Sequence, residues 1–302
     1  MCYYLRNDKF IALLAYSVRI MSINAGIMNY FDKIINDYHR AISNTPITGE
    51  LNFVDKTVEN FTVAPIQSGE QTFSVRSARI HVKPFITYKS LNQKNPDVTV
   101  ELGDLIIIYK HTLNDALIKW RAIIIQTKFK KTKNLSWDIS TNQFTFLVHW
   151  PTFNISRPHS TGLYTINPIS KTWAVYGFIG PNATKYPIYY SSKRMMDHIH
   201  QIPSKDHFPF NVLDNHSWDY SKSFFKKFLN ERIGENLIEN IEAACLVNKL
   251  YKVVRLEPDP PGDPDWEGIT SSSDEGFGLI EFHIAGNSDE HPEKISEWKY
   301  LG

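Results

Sequence analysis

Residues 101–110 and 121–128 read ELGDLIIIYK and RAIIIQTK. Each is an isoleucine run with polar side chains at one end: Glu101 and Asp104 before the first, Gln126 and Lys128 after the second. β-Branched runs of this kind, apolar at both parities, predict strands covered on both faces. Asn114 and Asp115 lie between them and predict a turn, so residues 99–109 and 120–129 read as a hairpin. Side chains two apart share one face of a strand, which groups Asp104 with Ile106 and Ile108, and Gln126 and Lys128 with Ile124. Same-face side chains of paired strands meet, so a carboxylate, an amide oxygen and an ammonium group converge at one end of a buried sheet. Glu101 has the opposite parity and joins them only if Gly103 makes a bulge.

Outward from this hairpin the chain reads as a mixed α/β (α+β) fold. Residues 23–42 carry Met28, Phe31, Ile34, Ile35, Tyr38 and Ile42 at three- and four-residue steps, the spacing of one apolar helical face. A second helix is predicted over 49–61, with Glu50, Asp55 and Glu59. Residues 72–88 read as a strand in which Pro84 marks an edge or a bulge. After the hairpin, Ser136 or Ser140 caps a helix running to His149, which Pro151 ends. A strand is expected over 172–179. The order helix, strand, strand, strand, helix, strand between 48 and 180 predicts an antiparallel meander followed by a helical crossover. Residues 182–219 read as irregular, 221–250 as helical with a break at Gly234, and 276–285 as a last strand. In the helical part Leu237, Ile238, Ile241, Ala244 and Cys245 form the expected apolar stripe. Three regions follow: an N-terminal helical extension (1–47), an α/β core (48–181) and a C-terminal helical and irregular region packed on it (182–302).

A carboxylate, an amide oxygen and a lysine at a strand end suit phosphodiester cleavage. Mg²⁺ takes oxygen ligands and keeps several waters, so Asp104, the Gln126 side chain and the Thr127 carbonyl form a reasonable donor set. A bound cation eases deprotonation of water and offsets charge on the phosphorane. Lys128 would place positive charge on the scissile phosphate or orient the attacking water.

These residues resemble the PD-(D/E)xK nuclease superfamily: an acid at the start of one strand, then Gln126-Thr127-Lys128 on the next. More narrowly, they are similar to Mrr-like variants in which glutamine replaces the acid before the lysine. The resemblance covers about residues 48–180 and implies a restriction-endonuclease-like core of order αβββαβ. It implies Asp104 as metal ligand, Gln126 as ligand or ligand-positioning residue, and Lys128 as catalytic lysine, with Mg²⁺ or Mn²⁺ as cofactor. A helical glutamate often completes such sites; Glu50 and Glu59 are the candidates, with Glu59 counted in the expected metal set beside Glu101. Gln143 is a phosphate or outer contact. The sequence departs from the family in having Gly103, not proline, before Asp104, and in the neutral Gln126. The resemblance implies a nuclease of DNA, with RNA as the alternative, acting as effector of a bacterial restriction or anti-phage system. Assembly would be as a homo-oligomer or with a partner protein of that system; the rival is an inactive nucleic-acid-binding or scaffolding subunit.

Other features bound this reading. The 302 residues are 42% hydrophobic with a formal charge of +1, so any nucleic-acid surface must be local. Lys128, Lys130, Lys131 and Lys133 beside Trp137 supply such a patch. The two cysteines, Cys2 and Cys245, fit neither a disulfide framework nor a zinc site, which favours a reducing cytoplasm. FIALLAY at 10–16 is too short and poorly flanked for a secretion signal and reads as a helical extension. No apolar run approaches the ~20 residues of a membrane span. Asp197, His198, His200, Asp206, His207 and His216 are metal-capable but lack HExxH spacing, and read as surface groups. Phosphate-binding glycine loops and GxSxG are absent from the sequence, which leaves ATPase and serine-hydrolase chemistry without support.

Overall fold

The computed structural model describes residues 29–61, 63–80, 83–90, 97–132, 136–157, 162–167, 169–180, 187–212, 219–254 and 276–286. Helix α1 is described over 29–44, and Phe31, Ile34, Ile35, Tyr38 and Ile42 are its buried face, as the spacing predicts. Met28 and the rest of the N-terminal extension lie outside the described residues. Helix α2 (Glu50–Asn60) starts after an extended Gly49 and buries Phe53, Val54 and Val58. Strands β1 (Val63–Ser68) and β2 (Gln71–Ile80) pair antiparallel.

The stretch expected as one strand over 72–88 is two. β2 ends at Ile80, and β3 (Phe85–Lys89) enters a different sheet, where it pairs with β4 (Asp97–Glu101). Pro84 lies between them; it has no N–H for a ladder, and its carbonyl instead accepts from Leu102 N at 2.9 Å. The strand expected over 99–109 divides in the same way: β4 closes at Glu101 and β5 (Leu105–Leu113) opens four residues later in the large sheet. Gly103 allows this crossing, because a Cβ there would stand 2.7 Å from Ile124 Cγ2 and 3.1 Å from the Ile125 carbonyl.

β5 and β6 (Ala116–Phe129) form the expected hairpin, with Leu105 opposite Ile125 and Ile107 opposite Ile123. Asn114 and Asp115 both have positive φ, 48° and 62°, as a two-residue primed turn requires. β7 (Ser136–Ser140) then leads into α3 (Thr141–His149). Of the two proposed caps it is Ser140 whose hydroxyl accepts from Gln143 N, while Ser136 belongs to the strand. β8 (Phe153–Arg157) and β9 (Leu163–Tyr164) complete the four-stranded sheet β4-β3-β8-β9. β10 (Ala174–Ile179) returns parallel to β6, placing Tyr176 in register with Gln126.

Residues 182–219, expected to be irregular, contain β11 (Ile188–Ser191), α4 (Ser192–Ile199), β12 (His207–Asn211) and the start of β13 (Asp219–Tyr220). Burial explains the miss: Ile188, Tyr189, Tyr190 and Met195 pack into the core, in a stretch whose Pro and Ser content suggests loop. α5 (Ser221–Leu229), β14 (Glu235–Asn236) and α6 (Ile241–Val254) follow. The stripe expected on the last helix is displaced. Leu237 and Ala244 are buried as expected, but Ile238, Ile241 and Cys245 are exposed, and α6 also buries Ala243, Leu246, Val247, Leu250 and Tyr251.

The final strand, β15 (Phe277–Gly286), lies in the middle of the large sheet, parallel to β5 and antiparallel to β2. The order β1-β2-β15-β5-β6-β10-β11-β13, with β14 on β6, is a mixed nine-stranded sheet. The continuous meander expected from β2 into β5 is therefore interrupted, and the sheet draws strands from both sides of residue 181. One face packs Ile106, Ile108, Ile124 and Tyr176 with α3 and α6. The other packs Leu105, Ile107, Ile123 and Ile125 with α1, α2 and α5. Each such side chain contributes about 1.5–3 kcal/mol on burial, against about 1 kcal/mol for one hydrogen bond. Burial sets the hairpin, and its polar ends follow. Helix α2 seats closely on β15 at Gly278, where a Cβ would meet Val58 Cγ2 and Leu105 Cδ1 at 2.8 Å. Among the described residues no helix is long and apolar enough to cross a membrane.

Candidate active site

Asp104 sits at the crossing between the two sheets and is 2% exposed. Its main chain extends the hairpin, since Asp104 N donates to Ile125 O at 2.9 Å and Gly278 N donates to Asp104 O at 2.9 Å. One carboxylate oxygen, Oδ2, accepts three hydrogen bonds from β6: Gln126 Nε2 at 2.6 Å, Thr127 N at 2.7 Å and Thr127 Oγ1 at 2.8 Å. The other, Oδ1, faces the Lys83 ammonium at 2.9 Å. A buried carboxylate is retained only when its lone pairs are answered, and here donors face both oxygens.

The same-face meeting of Asp104 and Gln126 thus occurs, with a direction the strand pattern does not give. Gln143 donates from its amide nitrogen to Gln126 Oε1 and, at 3.2 Å, to the Glu101 carbonyl. The carbonyl fixes which way Gln143 points, and Gln143 fixes Gln126, so Gln126 turns its N–H₂ toward Asp104. In this arrangement the Gln126 oxygen is occupied; Gln126 orients the Asp104 carboxylate and offers no oxygen to a metal ion.

Lys128 is placed at the strand end but its partner is Glu50, not Asp104. Lys128 Nζ lies 3.7 Å from Glu50 Oε2, and Glu50 Oε1 accepts from Phe129 N at 3.0 Å. Helix α2 therefore fastens its first turn to the end of β6. Burial raises the Glu50 carboxyl above its ordinary range; Lys128 opposes that rise, the Asp104 charge adds to it, and Phe129 N–H and Lys83 oppose it. Glu59, at the far end of α2, is exposed and pairs with Lys56 at 2.7 Å, so the structure does not bring it to Asp104. An 11-residue helix is about 16 Å long. Only one end of α2 reaches the site.

Glu101 is present through Lys83, whose ammonium lies 3.0 Å from Glu101 Oε2. Burial alone would lower the Lys83 pKa, but Asp104 and Glu101, by charge and hydrogen bonding, hold it above the ordinary lysine value. Nothing in the local pattern marks this lysine, because only the crossing of the two sheets beside Pro84 brings it to Asp104. Tyr176 is a further residue that no local pattern marks. It is fully buried, its hydroxyl has no hydrogen-bond partner among the described residues, and burial followed by the Asp104 charge raises its pKa.

Of the proposed basic patch, Lys130 donates to the Ser136 carbonyl, Lys131 is exposed, and Lys133 lies outside the described residues. The His198 and His200 pair is not on a strand: His198 belongs to α4, and His200 caps it with φ of 60°. His207 pairs with Asp138 at 3.0 Å on the surface, and His216 and the acidic loop at 259–265 lie outside the described residues.

Among the described residues no group of three or more His, Cys, Asp or Glu side chains is arranged to hold a metal ion. Mg²⁺ does not require one, since it takes one or two carboxylates and keeps its waters. Asp104 and Glu50 supply two hard oxygen donors, and the charge of one raises the pKa of the other, a repulsion that a cation relieves. On that chemistry the residues fit a hard divalent cation. No family model, no curated protein and no solved structure matches this chain.

Proposed function

We propose that this chain hydrolyses phosphodiester bonds of nucleic acid, DNA in the first place, with Mg²⁺ or Mn²⁺ as cofactor. The observation that carries the reading is the gathering of Glu50 from α2, Asp104 from the crossing before β5 and Lys128 from β6 at one sheet end. The core supports it further: β5 and β6 form a hairpin, and β10 returns parallel to β6 after α3, as in a PD-(D/E)xK core. The insertion of β15 between β2 and β5 is a departure from that order. A restriction or anti-phage system is the setting that such a nuclease suggests.

In this reading Asp104 and Glu50 hold the cation, which supplies an easily deprotonated water and offsets charge on the phosphate. Gln126 and Thr127 fix the Asp104 carboxylate in one orientation, so no reorganisation is needed when substrate arrives. Lys128, tied loosely to Glu50 and 19% exposed, is free to turn its ammonium to a phosphate oxygen. Lys131 adds local positive charge to the approach.

The rival reading is a non-catalytic nucleic-acid-binding or scaffolding subunit. It is favoured by the saturation of Asp104 Oδ2 and by Lys83 on Oδ1. Incubating plasmid and oligonucleotides with the protein and Mg²⁺ or Mn²⁺ separates the two, with Asp104→Ala and Lys128→Ala as controls. Cleavage that both substitutions abolish supports the nuclease. Salt-sensitive DNA binding without cleavage supports the scaffold. Equal cutting by wild type and either variant overturns the site assignment.

A further inference from the structure

We infer that the Lys83 ammonium is the resident counter-ion of the Asp104 carboxylate, and that a divalent cation must displace it to use that carboxylate. The inference rests on the cation-dependent reading above and deepens it.

Three hydrogen bonds from β6 fill Asp104 Oδ2, so a ligand can only add at Oδ1. Lys83 stands at that oxygen at 2.9 Å and reaches Glu101 Oε2 at 3.0 Å. One ammonium thus takes the one Asp104 oxygen still open to a hard cation and ties it to the neighbouring Glu101 carboxylate. The groups differ in their freedom to move: Asp104 is 2% exposed, whereas the Lys83 and Glu101 side chains are 14% and 28% exposed. Lys83 also comes from the crossing between β2 and β3, outside the hairpin, so its withdrawal breaks no ladder bond of β5 or β6.

Charge counting agrees. Glu50, Glu101 and Asp104 against Lys83 and Lys128 leave the cluster one charge negative, and a divalent cation in place of Lys83 brings it to neutrality. Tyr176 is a second polar group beside the site. Its fully buried hydroxyl has no partner among the described residues and feels the Asp104 charge, and its residue pairs with Gln126 on the strand beside the site. Buried hydroxyls are normally paired, and a water carried by a cation would pair this one.

The test is Mn²⁺ binding to the full chain, by titration calorimetry or loss of free-ion electron spin resonance, in wild type, Lys83→Met and Asp104→Asn. The expected result is binding about tenfold tighter or more in Lys83→Met, and none in Asp104→Asn. Should Lys83→Met fail to fold, wild type suffices. Amine acylation mapped by mass spectrometry then reads Lys83 directly, with the exposed Lys205 as reference. Lys83 should become severalfold more reactive at saturating Mn²⁺ while Lys205 does not change. Equal affinity in wild type and Lys83→Met, with Asp104→Asn not binding, overturns the displacement and leaves the cation site standing. Lys83 that stays protected at saturation overturns it as well. If neither wild type nor Lys83→Met binds Mn²⁺, the cation reading itself falls, and the displacement with it.

Discussion

Gln126 donates to Asp104 across the hairpin at 2.6 Å, and its own oxygen is taken by Gln143. The neutral side chain at this position is therefore a matched link between a carboxylate and a second amide. A carboxylate here would face Asp104 with no donor between them.

Gln126→Glu accordingly leaves two buried carboxylates in contact. Metal-free protein should lose about 3–5 kcal/mol of stability, read from urea unfolding, and Mn²⁺ should restore part of it. Identical midpoints with and without Mn²⁺ would show that no cation enters between the two groups.

The two glutamates of α2 should differ sharply. Glu50→Gln should lower plasmid cleavage by about 100-fold or more, because it removes a carboxylate beside Lys128 and Asp104. Glu59→Gln, exposed and paired only along its own helix, should stay near wild type. Equal losses in both would place the cation elsewhere.

Stability should respond to pH in two opposed ways. Burial and the Asp104 charge raise Glu50 above its ordinary 4.5, against Lys128. The folded protein then keeps a proton that the unfolded chain has released, so metal-free stability falls as pH rises from 4.5 through the raised value. For His111, burial and then Lys119 lower the imidazole from 6.5 to about 4, against Glu231. Here the unfolded chain binds the proton first, and stability falls as pH drops from 6.5 toward 4. Urea midpoints across pH 4–8 check both: Glu50→Gln should remove the first slope and His111→Phe the second. Unchanged slopes in the variants would reject the assignments.

Lys131→Ala should weaken DNA binding equally for unrelated sequences and reduce the salt dependence by about 0.9 in log–log slope. Lys130→Ala should also loosen the start of β7, since Lys130 is bound to the Ser136 carbonyl. A change confined to one DNA sequence would mean that Lys131 reads bases.

A structural control lies outside the site. Glu281 on β15 is fully buried, accepts from Arg76 Nε at 3.1 Å, and is bonded by the Tyr251 hydroxyl. Arg76→Met leaves that carboxylate without its cation and should cost about 3–5 kcal/mol. Denaturant unfolding measures it, and a loss below ~1 kcal/mol would mean that the pair is screened like a surface one.

Much of the fold is legible in local pattern. The apolar face of α1, the span of α2, the β5–β6 hairpin with its Asn114–Asp115 turn, and the Ser140 cap follow from spacing and turn chemistry. The failures share one cause. The breaks at Pro84 and at 102–104, the buried strand β11, and the insertion of β15 between β2 and β5 depend on where distant segments pack. Periodicity reports what a residue prefers, not which sheet it joins.

The sequence by itself determined that Asp104 and Gln126 would share a face at one end of an isoleucine hairpin, because strand parity is a local property. Only the tertiary structure decided their company. Lys83 reaches Asp104 through the crossing of two sheets, and Glu50 rather than Glu59 arrives because α2 docks by its first turn. Electrostatic partners are chosen by distance in space, and no spacing along the chain encodes that distance.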